Sequence, residues 1–226
     1  MLSVENIGRR VGRLQILNDI SFEWTRGVLA VIGGNGTGKT TLLRIVAGAT
    51  KADAGKALWN GMPTSRAVRR KGKIGYGPQE RNLDLAITLR EFLGLCADLR
   101  GLRERAKLIA AVGEELGLVK QLDERLANLS GGGRRKAMTA QALLGAPELI
   151  VLDEPTSEVD YAASRRFWAA FRTRGKSSAL VIATHDVELA LSSADSILLL
   201  QKGIPARLAA ASAFALDELS SAIGEG

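Results

Sequence analysis

The chain contains a single cysteine, Cys96, so no disulfide can form within its 226 residues. That fits a reducing compartment. On a helical stretch Cys96 reads as a small packing residue rather than a catalytic thiol. Aromatic residues make up only 4% of the sequence, which argues against a surface built of base-stacking platforms. No run approaches roughly 18 uninterrupted apolar residues, so no segment is expected to span a bilayer. Met1 to Arg10 lack the basic-then-apolar layout of a secretion signal. The expectation is a soluble chain whose membrane association comes through a partner. Internal repeats and low-complexity tracts are missing as well.

What is present describes a folded domain. Hydrophobic residues account for 46% of the chain, enough for a sizeable core, and the length suits one domain, or one domain with a subdomain. The formal net charge is +7, from 31 Lys and Arg against 24 Asp and Glu. Such a balance suits nucleic acid, anionic lipid or an acidic ligand, and equally an ordinary solvated surface. The basic residues stand in short groups, Arg66, Arg69, Arg70, Lys71 and Lys73, then Arg134, Arg135 and Lys136.

Leu2 to Ile7 and Gln15 to Trp24 read as antiparallel strands around a Gly and Arg turn, and Val28 to Ile32 as a buried strand. A helix starts near Lys39 and stops at Gly48, and Ala57 to Trp59 and Lys73 to Tyr76 read as further strands. From about Leu83 to Asn128 the texture turns helical, with Thr88 as a helix cap and Arg103 to Leu116 as a second helix. Strands and helices then alternate: Glu148 to Leu152, Tyr161 to Arg174, Ser178 to Ala183, Val187 to Ser193, Ser196 to Leu200. That alternation predicts an α/β fold with a mainly parallel sheet. The Ala-rich tail from Ala209 onward is expected to be a short helix with a frayed end.

Gly33-Gly34-Asn35-Gly36-Thr37-Gly38-Lys39-Thr40 fits the pattern G-x-x-x-x-G-K-[ST] in full. A strand delivers the chain to a glycine loop whose bare amides can wrap phosphates, and the following helix points its positive end at the same anions. Lys39 then reaches the β- and γ-phosphates, and the hydroxyl of Thr40, followed by Thr41, is placed to ligate Mg²⁺. By chance the pattern arises in on the order of 1% of chains this long, so a bare glycine turn is the weaker reading. Nucleotide hydrolysis also needs a carboxylate for the metal and a group that positions water. Leu149 to Leu152 lead to Asp153 and Glu154 at the carboxyl end of a buried strand, where ligands sit in open α/β sheets. Asp153 is the expected metal partner and Glu154 the expected general base.

With these motifs the sequence closely resembles the ATP-binding-cassette (ABC) ATPase family over about Leu2 to Arg207. Leu129-Ser130-Gly131-Gly132-Gly133 is similar to the family's signature loop, Gln79 to its Q-loop, Ser157-Glu158-Val159-Asp160 to its D-loop and His185, the one histidine, to its switch histidine. The resemblance implies a P-loop core with an N-terminal antiparallel β subdomain over about 1–82 and 129–210. It adds an inserted helical subdomain over about 83–128 and a tail over 211–226. It further implies a head-to-tail dimer, in the first instance a homodimer, with each ATP trapped between one P-loop and the other subunit's Ser130, Gly131 and Gly132. Gln79 then senses Mg²⁺ and water, His185 contacts the γ-phosphate, and Asp160 acts across the interface.

Three positions depart from the family pattern. Gly133 stands where glutamine is usual, which adds backbone freedom at a helix start. Val11 occupies the place of the adenine-stacking aromatic and offers no π-face, so base affinity and selectivity should suffer. Glu158 puts a charge where a small residue is commoner. The resemblance implies an ATPase subunit, peripheral on the cytoplasmic face of the membrane, that powers a separate integral-membrane permease. Leu85 to Phe92 and Leu99 to Leu102 look like exporter-type cassettes. Two alternatives stay open: a soluble member acting on nucleic acid or ribosomes, and a regulatory subunit that hydrolyses weakly. No nucleic-acid partner is expected on the leading reading, because relatives of that kind carry two cassettes or long coiled-coil arms.

Overall fold

A computed structural model describes residues 1–68, 73–79 and 86–224. Arg69, Arg70 and Lys71 of the first basic group lie outside the described residues. So do Leu85, the expected boundary at 82 and 83, and the last two residues of the tail.

In chain order, strands β1 (Leu2–Val11) and β2 (Leu14–Trp24) form a hairpin, and β3 (Gly27–Ile32) leads into helix α1 (Lys39–Val46). Strands β4 (Ala54–Trp59) and β5 (Met62–Pro63), a single turn α2 (Thr64–Ala67) and strand β6 (Ile74–Gly77) follow. Helices α3 (Leu89–Leu99), α4 (Arg105–Leu116) and α5 (Gly131–Leu143) come next. The rest alternates: β7 (Leu149–Asp153), α6 (Tyr161–Gly175), β8 (Ala179–Ala183), α7 (Val187–Ser193), β9 (Ser196–Gln201), β10 (Ile204–Ala210) and α8 (Leu216–Gly224).

These strands make two sheets. One is four-stranded and antiparallel, in the order β2-β1-β4-β5. The other is six-stranded, in the order β10-β9-β3-β8-β7-β6, parallel throughout except for the edge pair β10 and β9. The central strands β7 and β8 are buried at every position, which is why they read as unbroken apolar runs. Their period-two alternation splits them between two cores. Ile150, Leu152, Leu180 and Ile182 join α3 to α6 on one face. Leu149, Val151, Val181 and Ala183 join α1 and the antiparallel sheet on the other.

The helical segment is fastened to the sheet by polar bonds as well as packing. Arg174 of α6 grips Glu115 of α4 through two bonds, at 2.9 and 2.5 Å, and also donates to the Leu143 carbonyl at 3.2 Å. Arg100 donates to the carbonyl of Leu144 and to Gln141 Oε1 at 3.2 and 3.0 Å. At the head of α3, Thr88 and Glu91 form a reciprocal capping box.

The tail differs from expectation. Ala209 and Ala210 end strand β10, paired with Ile197 and Ser196 of β9, and the helix begins only at Leu216. Gly203, with φ of 72°, turns the chain back, so edge pairing on β9 overrides the helix preference of the alanines. Removing the Thr88 cap tests the account of α3. Thr88→Ala should cost about 1 kcal/mol in urea unfolding, with Thr88→Ser close to wild type.

Candidate active site

Strand β3 ends at Ile32 in the middle of the parallel sheet, and the loop 33–38 carries the chain from its carboxyl end into α1. Sterics dictate the glycines. A Cβ on Gly33 would overlap the Leu200 carbonyl oxygen of β9 and come within 2.8 Å of Thr37 Oγ1. Gly38 sits at φ of 97°, and a Cβ there would lie 2.6 Å from Leu17 Cδ2. The loop therefore lies closely against its neighbours, where only glycine fits. In α1 the first intrahelical bond runs from Leu42 N to Gly38 O at 2.8 Å, which leaves the amides of Lys39, Thr40 and Thr41 without helical acceptors. No side chain caps this end. A positive helix terminus with open amides is suited to an anion.

Lys39 lies across the loop, its Nζ donating to the carbonyls of Gly33 at 2.6 Å and Gly34 at 3.0 Å. Burial pushes its pKa down, opposed by the charges of Glu154 and Asp153. Thr37 Oγ1 donates to Gly34 O at 2.9 Å and braces the loop internally. A cleft of about 290 Å³ opens above, lined by Asn35, Gly36, Gly38 and Lys39 to Thr41 of the loop and α1, with Ile16, Gln79 and Glu154.

The acidic side of the cleft comes from β7. Asp153 is 1% exposed, and both its carboxylate oxygens are buried without a hydrogen bond among the described residues. Burial raises its pKa. The nearby Thr40 hydroxyl lowers it, as do the charges of Arg135 and Arg44, while the Glu154 charge adds to the rise. Thr40 Oγ1 also donates to Gln79 Oε1 at 3.4 Å. Glu154 follows at φ of 52°, its amide bonded to Ala183 O of β8 at 2.9 Å. Its Oε2 lies 2.7 Å from His185 Nδ1. That bond raises the His185 pKa against the effect of burial.

A second cluster sits at the start of α5. Ser130 Oγ accepts from Gly133 N at 3.1 Å and caps the helix. Gly132 is pressed against the D-loop: a Cβ on it would lie 2.6 Å from Glu158 O. Asp160 caps α6 by accepting from Ala163 N at 2.9 Å and lies 3.9 Å from Lys136 Nζ. Neither Ser130, Gly131, Gly132 nor Asp160 lines the cleft at the P-loop. The structure thus brings together the P-loop, Gln79, Asp153, Glu154 and His185, and holds the signature residues apart with the D-loop.

Val11 stands at the hairpin tip, paired with Leu14 and 58% exposed, outside the cleft. Ile16 lines the cleft, and also a larger adjoining groove of about 800 Å³ between β2 and the turn joining β9 to β10. Sequence reasoning passed over Ile16, although Leu17 at the next position faces the core and so turns Ile16 outward. It also passed over Arg135 as one charge among many. The i, i+4, i+7 spacing of Arg135, Thr139 and Ala142, all buried on α5, is the signal that marks it as inward-facing.

The residues fit a magnesium nucleotide. The loop is a cradle that side chains would fill, and Asp153 is a buried carboxylate with the Thr40 hydroxyl beside it. Thr40 and Gln79 add oxygen donors of the kind a hard cation takes. No group of three or more His, Cys, Asp or Glu able to hold a metal occurs among the described residues.

The family model for ABC transporters matches residues 17–157, from within β2 through the P-loop and signature loop to just past the carboxylate pair. The chain belongs to the ABC transporter family. A zinc import ATP-binding protein of Cereibacter sphaeroides is 33% identical over 90% of this chain and 80% of its own. A Nod factor export ATP-binding protein of Burkholderia orbicola is 34% identical over 89% of this chain and 68% of its own. Among solved structures, an ATP-binding subunit of an ABC transporter superposes with a TM-score of 0.86, at 26% identity and 98% coverage of both chains. The chain is an ATP-binding ABC ATPase with the α/β fold of that family, and its antiparallel sheet, mostly parallel sheet and helical segment are those the resemblance implied.

The packing of this ABC cassette around its loop is directly testable. Gly33→Ala should lower stability in urea by about 1–3 kcal/mol through overpacking on β9. Gly94→Ala, on α3 with open space at its Cβ, should instead be neutral or raise stability by up to about 1 kcal/mol.

Proposed function

We propose that two copies of the chain close head to tail, hydrolyse Mg-ATP at the shared faces and drive a separate membrane permease from its cytoplasmic side. The observation that carries this is the division of the site. Each chain has an open cleft with P-loop, metal-side and base residues. It also has a Ser130-capped helix end that does not line that cleft and, on this reading, serves a partner's. No described helix is long and apolar enough to cross a membrane, so on this reading the membrane path belongs to the permease.

In the closed pair the P-loop amides and Lys39 hold the β- and γ-phosphates. Thr40, Gln79 and Asp153 hold the magnesium ion, which neutralises phosphate charge when bound. Glu154 takes the proton of the attacking water as the bond to the γ-phosphate forms and the bond to ADP breaks. His185, 2.7 Å from that carboxylate, orients it and reaches the γ-phosphate. Ser130 and the amides of Gly131 and Gly132 bind the partner's γ-phosphate, and Asp160 meets the facing subunit. Ile16, which lines the cleft, gives the base an aliphatic wall in place of an aromatic one. The relatives named above serve both import and export, so direction resides in the permease rather than in this cassette.

The nucleic-acid reading loses support from one basic group. Arg135 is buried, Arg134 donates to Ala127 O at 3.0 Å, and Lys136 lies near Asp160 with its side chain 18% exposed. These charges are occupied inside the chain and offer little to a phosphate backbone.

The test is phosphate release by purified wild type beside Glu154→Gln and Lys39→Ala, across protein concentrations. Wild type should turn over with a specific activity that rises with concentration. Both variants should fall by about 100-fold or more, the scale of a lost general base. Wild type that binds ATP yet never exceeds Glu154→Gln at any concentration would reject hydrolysis by this pair and favour the regulatory reading.

A further inference from the structure

Arg135 is 1% exposed, one of the largest fully buried side chains in the molecule, and its charge lies among main-chain carbonyls. Nη1 donates to Gln79 O at 2.9 Å and approaches Pro78 O and Asp153 O at 3.4 Å each. Those carbonyls belong to two different elements, the segment after β6 that carries Gln79 and the end of β7 that carries Asp153. The guanidinium itself rides on α5, little more than one turn past the Ser130 cap. A cation held in the interior must keep such partners, because an uncompensated buried charge is costly. The three elements are therefore obliged to move together.

We infer that Arg135 is a positioning residue that couples the two composite sites of the dimer. This rests on the function proposed above, in which Ser130 serves the partner's nucleotide while Gln79 and Asp153 serve this chain's own. When the signature loop engages the facing ATP, the start of α5 is fixed, and Arg135 fixes the main chain of Gln79 and Asp153 with it. The metal-side groups of one site are thereby set by occupancy of the other. Arg135 does not line the nucleotide cleft, and the role is assigned on its bonds to the main-chain oxygens of Gln79, Pro78 and Asp153. A lysine retains the charge but presents a single ammonium without the planar fork, so it should keep the fold better than it keeps the geometry.

Two measurements on Arg135→Lys and Arg135→Met test this, with thermal unfolding as the control for folding. The first reads binding of a fluorescent ATP analogue to single subunits, with Mg²⁺ and with EDTA. Both variants should bind in EDTA within about twofold of wild type. Each should lose most of the gain that Mg²⁺ brings, about tenfold for Met, the scale of a charge-assisted hydrogen bond, and less for Lys. The second reads phosphate release against ATP concentration. Wild type should be sigmoidal, and Arg135→Lys should move toward a Hill coefficient of 1, whereas a merely structural role would scale activity without changing the shape. An unchanged Hill coefficient in the lysine variant overturns the coupling. An unchanged Mg²⁺ gain in both variants, or a loss of EDTA binding equal to the loss with Mg²⁺, overturns the positioning role. Should the methionine variant fail to fold, the lysine variant alone decides. Should wild type neither dimerise nor turn over, the proposed function fails, while the Mg²⁺ gain on single subunits still decides the role of Arg135.

Discussion

A carboxylate is kept inside this protein with too little around it to offset its burial, and much of the architecture follows from that. Asp153 ends the most buried region of the sheet, where ionised groups are costly and ordinarily paired or hydrogen-bonded. The charges of Arg135 and Arg44 and the Thr40 hydroxyl favour its ionised form, but burial outweighs them. Lys39 is turned onto the P-loop carbonyls, and Nη1 of Arg135 donates to the Gln79 carbonyl. The site thus holds less positive charge than a buried carboxylate needs. What balances it must arrive with the ligand, which is how a cassette can be stable when empty and still favour the loaded state.

The sheet places that charge where it is useful. Because β3, β8 and β7 run parallel, their carboxyl ends deliver the P-loop, His185 and the Asp153-Glu154 pair to one edge. The period-two split of these strands between two cores fixes both faces at once, so the edge cannot tilt without unpacking one of them. Glycines at 33 and 38 allow the loop to lie closely against β9 and β2. The helical segment and α5, which bears the signature residues, share one apolar cluster with this face of the sheet and are pinned further by Arg174 with Glu115 and by Arg135.

Much of this was legible in the order of residues, for identifiable reasons. The P-loop and the Asp153-Glu154 pair are local patterns whose chemistry depends on near neighbours in the chain. The buried strands announce themselves as apolar runs, and Thr88 and Ser130 as caps. What escaped depends on contacts between distant segments. Ala209 and Ala210 became strand because β9 offered an edge, which composition cannot reveal. Ile16 lines the cleft in a place no local pattern marks, while Val11 stands outside it at the hairpin tip. Arg135 looked like one surface charge among several until α5 was laid against Gln79 and β7.

The central claim, that Asp153 is a buried charge whose neighbours do not offset its burial and that awaits a cation, is most directly tested by thermal unfolding of wild type and Asp153→Asn, with and without Mg-ATP. Burial raises the folded-state pKa of Asp153, so its penalty is complete above that pKa and disappears below the unfolded value near 3.9. At neutral pH without ligand the asparagine variant should therefore unfold at the higher temperature, by a margin that shrinks on acidification. With Mg-ATP the order should reverse, because only wild type gains the metal's stabilisation. An asparagine variant less stable than wild type without ligand, or equally stabilised by Mg-ATP, would contradict the account.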